Sequence, residues 1–248
     1  MPKTVLITGA LAGIGRATAI AFAHAGYQLA ISGRNKAAGD TLVQALQALG
    51  AQAAFFQADV RHEEDVQNLV AQSIARFGAL DAAVNNAGTT APGGPISTQS
   101  QENYATIFDT NVLGTFLSLK YEMQAMLAQG HGSIINLSST MGSRGAANAS
   151  LYTASKHAVE GLTKSAALEG AAAGVRVNAV APGPVATELL ERFTDHSADK
   201  MAALAAGVPF KRVGRPEEIA DVIVFLASQQ ASFLTGQIVA VNGGKTAF

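Results

Sequence analysis

Val5-Leu6-Ile7-Thr8-Gly9-Ala10-Leu11-Ala12-Gly13-Ile14-Gly15 is a short apolar run, then a glycine turn, then the start of a helical pattern. Glycines let backbone approach a pyrophosphate closely, and a helix amino terminus offers N–H groups and the positive end of a dipole. The spacing departs from G-x-G-x-x-G, because three residues separate the first two glycines. Strand, glycine turn and helix in that order are the context a dinucleotide site requires.

Outward from this turn the pattern repeats. Strands are expected at Val5–Ile7, Leu29–Ser32, Ala53–Gln57, Ala82–Asn85, Ser133–Leu137, Arg176–Ala181 and Ile238–Val241. Helices are expected at Ile14–His24, Ala37–Leu49, Glu63–Phe77, Gln101–Leu127, Leu151–Ala173 and Pro216–Ala227. Apolar strands alternating with longer helices predict an α/β fold: a Rossmann-type, doubly wound parallel sheet of about seven strands, with helices on both faces. No linker or composition shift divides residues 1–248, so one dinucleotide-binding and catalytic domain is expected. The excursion at about 185–212 carries Leu189, Leu190, Phe193, Met201, Leu204 and Phe210. It reads either as a substrate-binding lid or as a helical hairpin packed on the body, and the two are compatible.

Composition narrows the function. Of 248 residues, 48% are hydrophobic and 14% charged, with a net charge of −1. That balance fits a compact globular chain and offers no electrostatic case for nucleic acid or an anionic membrane as partner. Without cysteine there are no disulfides or thiolate metal sites. The amino terminus turns polar too soon for a signal peptide, and no apolar run reaches membrane-spanning length, so a cytoplasmic protein is expected.

Two further features carry chemistry. Tyr152 and Lys156 stand four apart in a helical pattern and so share a face. Bringing a phenol from its reference pKa of about 10 to neutrality takes roughly 4 kcal/mol. A fixed ammonium acts in that direction and burial acts against it. A phenol so tuned exchanges a proton with a substrate oxygen. The second strand, meanwhile, ends Ser32-Gly33-Arg34-Asn35. It supplies no acid for the adenosine ribose, but one guanidinium suited to a 2′-phosphate, which favours NADP over NAD.

The glycine turn, Asn85-Asn86-Ala87-Gly88, Asn111, Ser139, Tyr152, Lys156, Pro182-Gly183 and the Asn242-Gly243-Gly244 ending occur in this order along the chain. In this the chain resembles the classical short-chain dehydrogenases/reductases over essentially its whole length. The resemblance implies a hydride transfer between NADP(H) and a carbonyl or secondary alcohol, with NAD possible. Gly9, Gly13, Ile14 and Gly15 would line the pyrophosphate. Asp59 and Val60 would meet the adenine, and Asn86, Ala87 and Gly88 the adenosine-side ribose. Pro182, Gly183, Val185 and Thr187 would hold the nicotinamide end. Tyr152 would be the general acid/base. Lys156 would lower its pKa and hold the nicotinamide ribose. Ser139 would hydrogen-bond the reacting oxygen, and Asn111 would bend or pin its helix and position a water for proton relay to Lys156. Ser138 would lie on the cofactor side or satisfy backbone. A homotetramer is implied, with the helices at 101–127 and 151–173 pairing across subunits.

Departures qualify this. Ala12 stands where NADP-preferring members often carry a basic residue, so the NADP reading rests on Arg34, helped by Ser32 and Asn35. Gly130 and Ala173 replace the arginines that dock an acidic carrier protein in ketoacyl reductases. The five histidines lack ligand spacing, and His62-Glu63-Glu64-Asp65 reads as a helix opening, so no metal is expected. The alternatives are an NAD-dependent sugar or polyol dehydrogenase, and a non-catalytic nucleotide-sensing protein on the same fold.

Overall fold

The computed structural model describes residues 2–247. Seven strands form one sheet: β1 (Thr4–Thr8), β2 (Gln28–Gly33), β3 (Ala53–Gln57), β4 (Ala82–Asn85), β5 (Gly132–Leu137), β6 (Val175–Pro182) and β7 (Ile238–Val241). Their spatial order is β3-β2-β1-β4-β5-β6-β7, and every pairing is parallel. The order reverses between β1 and β4, which opens a crevice at their carboxyl ends.

Two apolar layers sandwich the sheet, as strands buried on both faces require. On one face α1 (Gly13–His24), α2 (Lys36–Ala48) and α9 (Pro216–Ala227) bury Phe22, Leu46 and Ile223 against Ile7, Ile31 and Val84. On the other, α3 (Glu63–Phe77), α5 (Gly114–Gln129) and α6 (Ser150–Gly170) bury Leu69, Met126 and Ala167 against Leu6, Ala83 and Ile134. The acidic run 63–65 opens α3, its charges facing the helix dipole favourably.

The single long helix expected at 101–127 is not one helix. It consists of α4 (Gln101–Phe108), a π-helical turn at Asp109–Leu113, and α5. The wide turn carries Asn111 inward, and Gly114 lets the next helix close on Val60, where a Cβ would sit 2.7 Å from Val60 Cγ2. Such bulges collect at functional sites. The excursion after β6 forms α7 (Glu188–Phe193) and α8 (Ala198–Ala206). Its neck is closed by Ala186 N–H donating to the Gly214 carbonyl (2.9 Å) and Gly214 N–H to that of Pro184 (2.8 Å). Leu190 and Val208 are buried while Leu189, Phe193 and Leu204 face a cleft, so the excursion packs on the body and also borders that cleft.

Candidate active site

The glycine turn is built to leave donors free. Ala12 precedes α1 and has no side-chain oxygen to cap it, and the first intrahelical bond runs from Arg16 N–H to the Ala12 carbonyl (3.2 Å). The N–H groups of Gly13, Ile14 and Gly15 therefore lack intrahelical acceptors and are available to an anion. Gly9 has φ +63°, and a Cβ on Gly15 would lie 2.2 Å from the Gly9 carbonyl oxygen, so the turn packs flat on its own helix. Asn86 fastens this turn to the end of β4. Its Nδ2 donates to the carbonyls of Thr8 (3.1 Å) and Gly9 (2.9 Å). Thr8 Oγ1 accepts from the N–H groups of Asn86 and Ala87, each at 3.2 Å. The Asn86 amide thus holds the turn, a role its sequence position did not reveal.

A cleft of about 290 Å³ runs along the carboxyl ends of the strands. Gly9, Gly13 and Ile14 form one wall, and Asn86, Ala87 and Gly88 the floor. Ser139, Tyr152 and Lys156 lie opposite, and Pro182, Gly183, Val185 and Thr187 close it. Gly15, Ser32, Arg34, Asn35, Asp59, Val60 and Asn111 lie outside it. Met141 and Lys245 also line it and were not singled out from sequence. The position of Lys245, just past the Asn242-Gly243-Gly244 turn that follows β7, was the available signal.

Tyr152 and Lys156 share the inner face of α6. Lys156 Nζ donates to the Leu137 carbonyl (2.8 Å) and sits 5.6 Å from the centre of the Tyr152 ring. The expected lowering of the phenol's pKa is reversed in the protein alone. Loss of hydration pushes Tyr152 up to about 12, and the Ser139 hydroxyl beside it acts in the opposite sense. Burial likewise pulls Lys156 down to about 8. Desolvation disfavours the charged form of each group. The resting pair is a neutral phenol beside an ammonium that titrates close to neutrality.

Asn111 pins the surroundings of this pair. Its Oδ1 accepts from Thr89 N–H (2.8 Å), and its Nδ2 donates to the Thr89 carbonyl (3.0 Å) and to Ser155 Oγ (3.1 Å). Ser155 Oγ in turn donates to the Tyr152 carbonyl (2.7 Å). Ser138 lines the cleft, as one of its two expected placements had it, and its side chain does not bond backbone. Its hydroxyl donates to buried Glu160 Oε1 (2.7 Å), one turn beyond Lys156.

The far end, at β2 and β3, is less prepared than expected. Asn35 caps α2, its Oδ1 accepting from Ala38 N–H (3.1 Å). The Asp59 carboxylate is taken by Arg61 (2.6 Å), which holds it below its usual range. Val60 is buried with Val66 and Leu117. Ser32 is buried within β2. Arg34 extends into solvent. Leu11 covers Gly33, and a Cβ there would lie 2.6 Å from Leu11 Cδ1, so a side chain at this position requires Leu11 to shift.

A family model described as enoyl-(acyl carrier protein) reductase matches residues 9–246. The 2,5-dichloro-2,5-cyclohexadiene-1,4-diol dehydrogenase of Sphingobium indicum is 42% identical over 246 residues, 99% of this chain and 97% of that protein. The cyclohexanol dehydrogenase of an Acinetobacter strain is 40% identical over 244 residues, 98% of this chain and 95% of that protein. Among solved structures, ElxO with NADP bound superposes with a TM-score of 0.94 at 34% identity, covering all of both chains. Likeness of this extent, on the same seven-stranded parallel sheet, shows that the chain belongs to the short-chain dehydrogenase/reductase family.

Proposed function

We propose that the protein transfers a hydride between NADP(H) and a secondary alcohol or its ketone, with Tyr152 as general acid/base, in a single domain that carries both cofactor and substrate sites. The observation that carries this reading is the placement of Ser139, Tyr152 and Lys156 on one wall of a cleft whose other wall is an uncapped glycine turn. The free N–H groups of that turn fit a diphosphate. NADP is supported by exposed Arg34 and by the NADP held in ElxO. The relatives' names support a six-membered-ring alcohol or ketone.

NADP(H), when bound, carries the hydride. In reduction, Tyr152 gives its phenolic proton to the carbonyl oxygen as the carbon gains the hydride, leaving a phenolate beside the Lys156 ammonium. Oxidation runs the same transfers backwards, the phenolate taking the hydroxyl proton. Ser139 hydrogen-bonds the reacting oxygen as its charge develops. Asn111, through Thr89 and Ser155, keeps the start of α6 in place.

Consumption of NADPH and NADH by the purified protein, against cyclic and open-chain ketones and with the matching alcohols in reverse, tests the proposal. Turnover favouring NADPH is expected. Preference for NADH would select the NAD-dependent alternative, and silence in both directions would favour the nucleotide-sensing one. A cytoplasmic homotetramer belongs to the same reading. Apolar Leu113, Phe116 and Leu168 are exposed on the helices expected to pair, and light scattering after size exclusion measures the assembly.

A further inference from the structure

The substrate end of the cleft is largely apolar, and one charge there, that of Lys245, has no counter-charge among the described residues. Met141, Leu189, Leu190, Phe193 and Leu204 supply the walls. Lys245, four residues past the end of β7, lines the same cleft. It is half-buried, and its ammonium has no hydrogen-bond or ion-pair partner among the described residues. Its backbone is held in place, since Arg144, on the loop after Ser139, donates to the Lys245 carbonyl. Burial and the Arg144 charge both push the ammonium below its ordinary range.

Other charges at the cleft do not answer this one. Lys156 is engaged with the Leu137 carbonyl. Glu188 and Arg192 also line the mouth, but both are exposed and stand four apart on α7, where opposite charges offset each other. A partly desolvated cation without a counter-charge is costly to keep. Beside a reaction centre, such a group is a candidate for a role in function.

We infer that the substrate is an oxo or hydroxy acid, with an apolar body, its reacting carbon at Tyr152 and Ser139, and a carboxylate received by Lys245. This rests on the oxidoreductase reading above. The test compares 4-oxocyclohexanecarboxylate with its methyl ester, using NADPH and the full chain.

The wild type should favour the acid in kcat/KM by about 10-fold, the scale of one charge-assisted hydrogen bond. Lys245→Met should erase that preference through KM, and Lys245→Arg should keep most of it. Equal turnover of acid and ester by the wild type, or an unchanged preference in Lys245→Met, would overturn the inference. If neither compound reacts, the oxidoreductase reading itself is in question. Calorimetric titration of the NADP-loaded protein with the same pair then decides the carboxylate site independently. Tighter binding of the acid, lost in Lys245→Met, supports it, and equal or absent binding refutes it.

Discussion

The chemistry end of the cleft and the surface beyond its other end are built in opposite ways. Where β5 meets α6, Lys156 is buried, Ser139 and Tyr152 are half-buried, and each is set by neighbouring backbone and side chains. Where β2 meets β3, Arg34 is in solvent, and Asn35 and Asp59 already have partners. Chemistry needs groups held dry and still, because electrostatic effects on a proton are strong only where water is excluded. Recognition of a phosphate tolerates a long solvated side chain, since a guanidinium finds its partner without being fixed beforehand. The difference predicts that substitutions at the first end abolish turnover, whereas those at the second retune cofactor choice.

The largest effect should come from Tyr152→Phe. It removes one hydroxyl and leaves the ring on α6, so kcat should fall about 1000-fold, within the range of general acid–base catalysis. Cofactor affinity, read by fluorescence titration, should change little. Substantial residual turnover would remove the proton-transfer role from Tyr152.

Next in size is Gly33→Asp, which places an acid where an NAD site would want one. Its Cβ would press on Leu11, and overpacking of this kind costs about 1–3 kcal/mol. The variant should melt several degrees lower without gaining NADH activity, and adding Leu11→Ala should restore stability and raise NADH use. An undamaged melting temperature in Gly33→Asp would mean that Leu11 yields freely.

Arg34→Ala follows, with an expected drop of about 10-fold in the NADPH-over-NADH ratio of kcat/KM, since the contact is a solvated charge-assisted one. An unchanged ratio would leave the phosphate without an assigned partner and open the choice to Arg61, which lies close by on Asp59.

The contrast between the two ends also marks what could be read in the chain. β3, β4, β7, α3 and α9 run over the residues their patterns predict, because apolar runs and first-turn acids or proline are local signals. The glycine turn, Ser139, Tyr152 and Lys156 converge on one cleft as the ordered motifs implied. What stayed hidden depends on partners distant in sequence. Asn86 reaches back 77 residues to the Gly9 carbonyl. The resemblance implied that Asn111 bends or pins its helix, but not the partners its amide reaches, Thr89 and Ser155, 22 and 44 residues away. Tyr152 illustrates a further limit: sequence spacing identified the nearby ammonium, but the balance against burial depends on three-dimensional packing.

The smallest effect concerns an acid that neither end uses. Glu122 on α5 is fully buried; its Oε2 accepts from Asn85 Nδ2 (2.9 Å), and its Oε1 has no partner among the described residues. Burial raises its carboxyl from 4.5 to about 7, opposed by the Asn85 hydrogen bond. Between those values the folded protein keeps a proton that the unfolded chain has released, so stability falls as pH rises through this window. Lys156 acts in a separate window with the opposite sign. Its folded pKa of about 8 lies below the ordinary 10.5, so the unfolded chain binds more protons there and stability rises with pH. The two effects can therefore be told apart. Glu122→Gln keeps an acceptor for Asn85 and cannot ionise. It should flatten the loss of melting temperature between pH 5 and pH 7.5 and stabilise the protein at the upper value by about 1 kcal/mol, discounted from the full shift at about 1.4 kcal/mol per unit. Because Glu122 lies outside the cleft, kcat should keep its pH dependence while the melting profile changes. Melting curves that stay parallel for the two proteins would mean that Glu122 does not titrate in this range.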